Sequence, residues 1–145
     1  MPWIGPFRID ALLSRCTDEA QEWPPEDRGV YVVTRNAWVG APTSDDEVLY
    51  VGGTLGTSPR FCTRVGDLIA DLHGFYGSAT GHHSGGQKLH DWCAASGVRP
   101  GTLYLGWRNY VHCARCSEAR EITRLAPALN RNKAPRCHAH AHALE

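Results

Sequence analysis

The chain has 145 residues, the length of one ordinary domain and enough to bury roughly 70% of its unfolded surface around a single core. Apolar residues make up 42% and charged residues 21%, a balance that excludes an intrinsically disordered chain, and no apolar run approaches the roughly 18 residues of a membrane helix. Formal charge sums to zero but is unevenly placed. Residues 1–59 carry four Arg against nine Asp or Glu, a net of −5, and residues 60–145 carry eleven Lys or Arg against six Asp or Glu, a net of +5. The basic half can supply sequence-independent attraction for phosphates, and thirteen of the fifteen cations are Arg, whose planar fork matches phosphate oxygens. The opening MPWIGPFRID has no secretion-signal pattern, so a cytoplasmic protein is expected. Its six cysteines are then thiols or metal ligands rather than a disulfide framework.

Taken in order, Arg8 to Trp23 places Ile9, Leu12, Leu13 and Cys16 at helical spacing and is stopped by Pro24-Pro25. Gly29 to Thr34 (GVYVVT) and Glu47 to Gly52 (EVLYVG) read as strands, joined by a loop over Asn36 to Asp46 into an antiparallel hairpin. Pro59 to Leu72 is a predicted helix with Phe61, Val65, Leu68, Ile69 and Leu72 on one face. Gly74 to Gly86 is a loop longer than the usual connection, which suggests function or mobility. Gln87 to Ala95 reads as a helix ended by Gly97, and Thr102 to Tyr110 as a third strand. Ser117 to Leu125 is a last helix, with Ser117 as N-cap and Pro127 closing it. The expected fold is α/β: a small three-stranded, mainly antiparallel sheet flanked by helices, with an extra N-terminal helix. One domain over residues 1–137 is expected, with 1–28 as a helical extension. Residues 138–145 (HAHAHALE) form a tail outside it whose Leu-Glu ending has the form of an expression scar.

Gly29-Val30-Tyr31 on the first strand and Tyr50-Val51-Gly52 on the second resemble the paired tripeptides of the GIY-YIG endonuclease family. Downstream the resemblance continues in order. Arg60 stands ten residues after Tyr50, Glu118 lies on a later helix, and Asn130 follows with Pro127 between them. The resemblance spans residues 29 to 130 and implies a nuclease fold in which Tyr31, Tyr50, Arg60, Glu118 and Asn130 form the catalytic site. It further implies Mg²⁺ or Mn²⁺ held by Glu118, and products with a 5′-phosphate and a 3′-hydroxyl.

These residue types suit phosphodiester hydrolysis, which needs an activated water, a cation against the phosphate and help for the leaving oxygen. A single carboxylate can hold one hard divalent ion whose remaining positions are water. A tyrosine with a pKa near ~10 is a poor base unless neighbouring cations lower that value. Arg60 is expected both to grip the phosphate and to favour the tyrosinate. Asn130 is expected to fix the last helix or the phosphate. Two positions depart from the family. Gly53 stands where many relatives carry Lys, and Arg64 where some carry His. Arg64, one helical turn from Arg60, is a candidate phosphate contact, as are His82, His83, Arg115 and Lys133. The run Arg115, Arg120, Arg124, Arg131, Lys133, Arg136 is expected to guide the nucleic-acid backbone, DNA before RNA.

Cysteines form a second constellation. Cys113-x-x-Cys116 precedes the Glu118 helix and Cys137-x-x-His140 follows Asn130, a Cys₃His set suited to structural zinc, with His138 as a less regular fourth ligand. The family core rarely supplies sequence specificity by itself, so a weakly specific nuclease, a homodimer or dependence on a specificity-supplying partner is expected. Two other readings stay open: a nucleic-acid-binding module of this fold that no longer cuts, and the fold reused on a small substrate.

Overall fold

The computed structural model describes residues 2–14, 23–54, 58–75 and 84–130. Its elements in order are β1 (Ile4–Arg8), α1 (Ile9–Ser14), β2 (Gly29–Thr34), β3 (Val48–Gly53), α2 (Phe61–Leu72), α3 (Ser84–Ser96), β4 (Tyr104–Asn109) and α4 (Ala114–Leu125), with single 3₁₀ turns at Ser44–Asp46 and Pro100–Thr102. The strands form one antiparallel sheet in the order β1-β4-β2-β3. The class is α/β, as expected, but among the described residues the sheet has four strands where three were predicted. No described helix is long and apolar enough to cross a membrane.

The fourth strand, β1, falls within the residues predicted to be a helical extension. Its Gly5-Pro6 pair disguises it, because a proline normally argues against a strand. Among the described residues β1 is an edge strand paired only with β4, and its register slips between Ile4 and Phe7, so no ladder bond at Pro6 is needed. The predicted helix from Arg8 survives as Ile9–Ser14, while residues 15–22 lie outside those described.

Alternation along the strands divides the apolar residues between two faces. Tyr31 and Val33 of β2 with Leu105 and Trp107 of β4 pack under α1, α2 and α3, against Ile9, Leu12, Phe61, Val65, Leu68, Leu72 and Leu89. Val30 and Val32 of β2 with Val51 of β3 face the other way, against Trp38 and the Ile122 and Leu125 of α4. Each such side chain, fully buried, contributes about 1.5–3 kcal/mol before entropy is counted. β2 is buried at all six positions because both faces are covered and it has a strand on either side.

Two helix starts differ from expectation. α3 begins at Ser84, inside the predicted loop, because Gly85 and Gly86 in its first turn read as turn residues. Gly86 is there for contact: a Cβ would sit 2.8 Å from the Leu68 carbonyl oxygen of α2. α4 begins at Ala114 with Cys113 as N-cap, not at Ser117. The Ser117 N–H already donates to the Cys113 carbonyl at 3.0 Å, and Ser117 is buried one turn inside the helix.

Candidate active site

Tyr31 on β2 and Tyr50 on β3 lie on the same face of the sheet, since Tyr31 pairs with Gly52 and Val33 with Tyr50. Their rings stack with centroids 6.2 Å apart and planes 24° from parallel. The motif glycines have a steric reason. A Cβ at Gly52 would collide with the Tyr31 hydroxyl, and one at Gly29 with the ring of Phe61, the first residue of α2. The first glycine therefore seats α2 against the sheet and the second makes room for the phenol. Gly85 of α3 does the same for Tyr50, whose hydroxyl oxygen lies 2.7 Å from where a Cβ would be. Nothing in the sequence pointed to Gly85, whose partner is 35 residues earlier.

Glu118 reaches the site from α4. Its Oε2 lies 3.6 Å from the position a Cβ would take on Gly53, next to the second motif. That same Cβ would stand 2.8 Å from the Gly29 carbonyl oxygen, so position 53 is closed to a lysine without a main-chain shift. α4 is held on the sheet by a buried carboxylate one turn further on. Glu121 pairs with Arg124 at 2.6 Å and Arg108 at 3.5 Å, and Arg124 also donates to the Pro42 carbonyl at 2.7 Å. Arg124, expected to guide a nucleic-acid backbone, is thus committed to the fold.

Arg60 and Arg64, one turn apart on α2, differ in burial. Arg60 is the exposed N-cap of α2, and its carbonyl accepts the Arg64 N–H at 2.9 Å. One turn on, the half-buried Arg64 is the cation whose charge reaches Tyr31, Tyr50 and Glu118 alike. Its Nε is buried with no hydrogen-bond partner among the described residues. Arg115, exposed on α4, adds a second positive charge beside Glu118.

Electrostatics run against the expected tyrosinate. Burial is the largest influence on Tyr31 and raises its pKa well above 10.0, with Tyr50 raising it further, Arg64 opposing and Glu118 adding. Burial followed by Glu118 raises Tyr50, again against Arg64. Both phenols are therefore neutral at physiological pH. Burial also pushes the Glu118 carboxyl from 4.5 up to about 7, against the pull of Arg64 and Arg115. Such a carboxyl gains from a bound cation, which would favour its ionised form. Among the described residues no group of three or more His, Cys, Asp or Glu could hold a metal. A lone carboxylate is a donor that a hard ion keeping most of its water, such as Mg²⁺, can take.

Asn130 stands beside the second motif. Its Oδ1 accepts the Val51 N–H and its Nδ2 donates to the Val51 carbonyl, both at 2.9 Å, on the open side of edge strand β3. It fixes the chain after α4 to the sheet, using one of its two Nδ2 hydrogens and one Oδ1 lone pair. His82, His83, Lys133, Cys137 and His140 lie outside the described residues, as do Arg131 and Arg136. Cys113 and Cys116 span the first turn of α4. Comparison of the chain with protein-family models, with curated proteins and with solved structures finds no match.

Proposed function

We propose that this chain is a divalent-metal-dependent endonuclease of the GIY-YIG type that hydrolyses phosphodiester bonds in DNA. The observation that carries the reading is the Arg64 guanidinium, whose buried Nε is left unpaired by the described residues and whose charge acts on two phenols and a carboxyl. A buried donor without a partner costs about 1–3 kcal/mol, and an incoming phosphate oxygen removes that cost. The planar fork can take two phosphate oxygens at once.

Glu118 would hold the Mg²⁺ or Mn²⁺, which supplies positive charge against the phosphate when bound. Tyr50, only partly buried, is the phenol that an attacking water can reach, while Tyr31 is fully buried beneath it. Because both phenols are neutral, Tyr50 acts through its hydroxyl as acceptor and donor together, taking the proton of the attacking water while giving its own to a non-bridging phosphate oxygen. Arg64 counters the charge that develops on the phosphate and on the phenol oxygen as that proton moves. Arg115 at the rim, and the net +5 of residues 60–145, favour a polyanionic substrate. Sequence specificity would come from a second copy or a partner, since the site itself offers only phosphate-directed groups.

The test compares wild type with Glu118→Ala and Arg64→Ala on labelled single-stranded, duplex and branched DNA, each with Mg²⁺, Mn²⁺ or EDTA. Cleavage that requires the metal and disappears in both variants is expected. A folded wild type that binds these DNAs but cuts none of them would overturn the nuclease reading in favour of a binding module.

A further inference from the structure

β4 ends at Asn109, and the next residue, Tyr110, takes a conformation that a bulky side chain disfavours. Its φ is 58°, in the left-handed region where glycine or asparagine is the usual occupant. Its side chain is 56% exposed and, among the described residues, joins neither apolar cluster of the core. Burial therefore does not account for an aromatic ring at this position. The turn around it is nevertheless firmly held. Val111, buried just beyond, donates its N–H to the Arg28 carbonyl at 3.4 Å, and Arg28 Nη1 donates to the His112 carbonyl at 2.7 Å. The ring is carried on a main chain already fixed to β2, so presenting it to a ligand costs little further ordering.

Tyr110 also stands at the end of the sheet that carries Glu118. Asn109 pairs with Gly29, and the Gly29 carbonyl oxygen lies beside Gly53, the position against which the Glu118 Oε2 rests. Two strand spacings, about 10 Å, separate the end of β4 from Gly53. That is roughly three base steps of one stacked strand, at about 3.4 Å each. Arg115, exposed in the first turn of α4, lies between Tyr110 and Glu118 in the chain, and its charge acts on Glu118. An exposed ring and an exposed guanidinium beside one carboxyl suit a nucleotide strand, the cation taking phosphate and the aromatic face taking a base.

We propose that Tyr110 is a stacking platform for an unpaired nucleobase beside the scissile phosphate, which makes single-stranded or locally unpaired DNA the substrate class of the site. A base inside a duplex has both faces covered by its neighbours. A tyrosine ring can reach a base face only where that stacking is interrupted. Every base has a π-face, so the platform selects strand state rather than base identity. The inference rests on the nucleic-acid reading of Glu118 and Arg64 and deepens it by naming the strand that the site takes. It does not require that the strand be cut.

The test measures binding in EDTA, by fluorescence anisotropy, of labelled single strands and of the perfect duplex of the same sequence. Tyr110→Ala should weaken single-strand binding about 5–100-fold, the range for losing one stacked base, and leave duplex binding within about twofold. Tyr110→Phe should bind as wild type does, since the ring and not the hydroxyl carries the contact. Tyr110→Gly relieves the left-handed strain, so it should unfold no more readily than wild type in urea and yet bind as weakly as Tyr110→Ala. The salt dependence should keep its slope in all three variants, because no phosphate contact is removed. Unchanged single-strand binding in Tyr110→Ala and Tyr110→Gly overturns the platform, as does an equal loss on the duplex or a Tyr110→Phe as weak as Tyr110→Ala. Loss of single-strand binding in a protein whose wild type cuts no DNA keeps the platform and removes the nuclease. Metal-dependent cleavage that Glu118→Ala abolishes, with single-strand affinity untouched by Tyr110→Ala, keeps the nuclease and removes the platform.

Discussion

Asn130 clamps Val51 from 79 residues away, its carboxamide accepting from the N–H and donating to the carbonyl of that one residue. This is the pairing a fifth strand would offer, delivered by a side chain at the edge of the sheet. It lies between Tyr50 and Gly52, so it governs both the stability of β3 and the setting of the site. Asn130→Ala leaves two polar groups of β3 unpaired, and we expect a loss of about 1–3 kcal/mol in urea unfolding. A loss under about 0.5 kcal/mol, within the range of ordinary surface substitutions, would mean water replaces the clamp without penalty.

Arg64 and Arg60 should separate sharply in cleavage assays. Arg64→Ala removes the guanidinium whose charge acts on both phenols and Glu118, and a drop in turnover of about 10²–10³-fold is expected, the scale of losing one charge-stabilising donor. Arg60→Ala, at an exposed helix cap, should lower turnover far less and act through substrate affinity. Arg64→Lys should restore little, because a point charge cannot bridge two phosphate oxygens. The reverse ranking would return the central role to Arg60.

Stability should fall as pH rises between the two pKa values of Glu118. The folded chain keeps this proton to about pH 7, whereas an ordinary glutamate loses it near 4.5. Between those values the folded state binds more protons than the unfolded state, so the slope is negative, and above pH 7 it levels off. In chelator, Glu118→Gln should therefore be more stable than wild type at pH 8 by about 1–2 kcal/mol, and the gap should close at pH 4.5. Mg²⁺ should narrow the difference at pH 8 by favouring the carboxylate. Parallel urea midpoints for the two proteins across this range would show that the carboxyl is not raised.

Gly52→Ala should be overpacked. A methyl group there meets the Tyr31 hydroxyl, and displacing the phenol is expected to cost about 1–3 kcal/mol. Tyr31→Leu, which removes the colliding atoms, should recover part of that loss in the double variant. A double-mutant cycle by urea unfolding checks this. Strict additivity would show that the methyl group and the phenol never meet.

What the sequence by itself determined are the features set within a few neighbouring residues. The β-branched runs at 30–34 and 48–51 and the apolar face of α2 follow from periodicity, and they suffice for an α/β sheet with its central hairpin. The motif pattern likewise brought Tyr31, Tyr50 and Glu118 into consideration from residue type and order. Where a local signal misled, a distant contact had compensated for it. Pro6 is tolerated because β4 pairs with β1 around a bulge, and Gly85 and Gly86 start a helix because Tyr50 and α2 need the space. Only the tertiary structure decided which arginine is the more buried. Arg60 and Arg64 are alike in type and one turn apart, yet Arg60 is exposed at the helix cap and Arg64 is half-buried. It also decided the protonation of the tyrosines. The outcome is a contest between the Arg64 charge and desolvation by three surrounding helices, and burial is a property of the packed chain that no local spacing records.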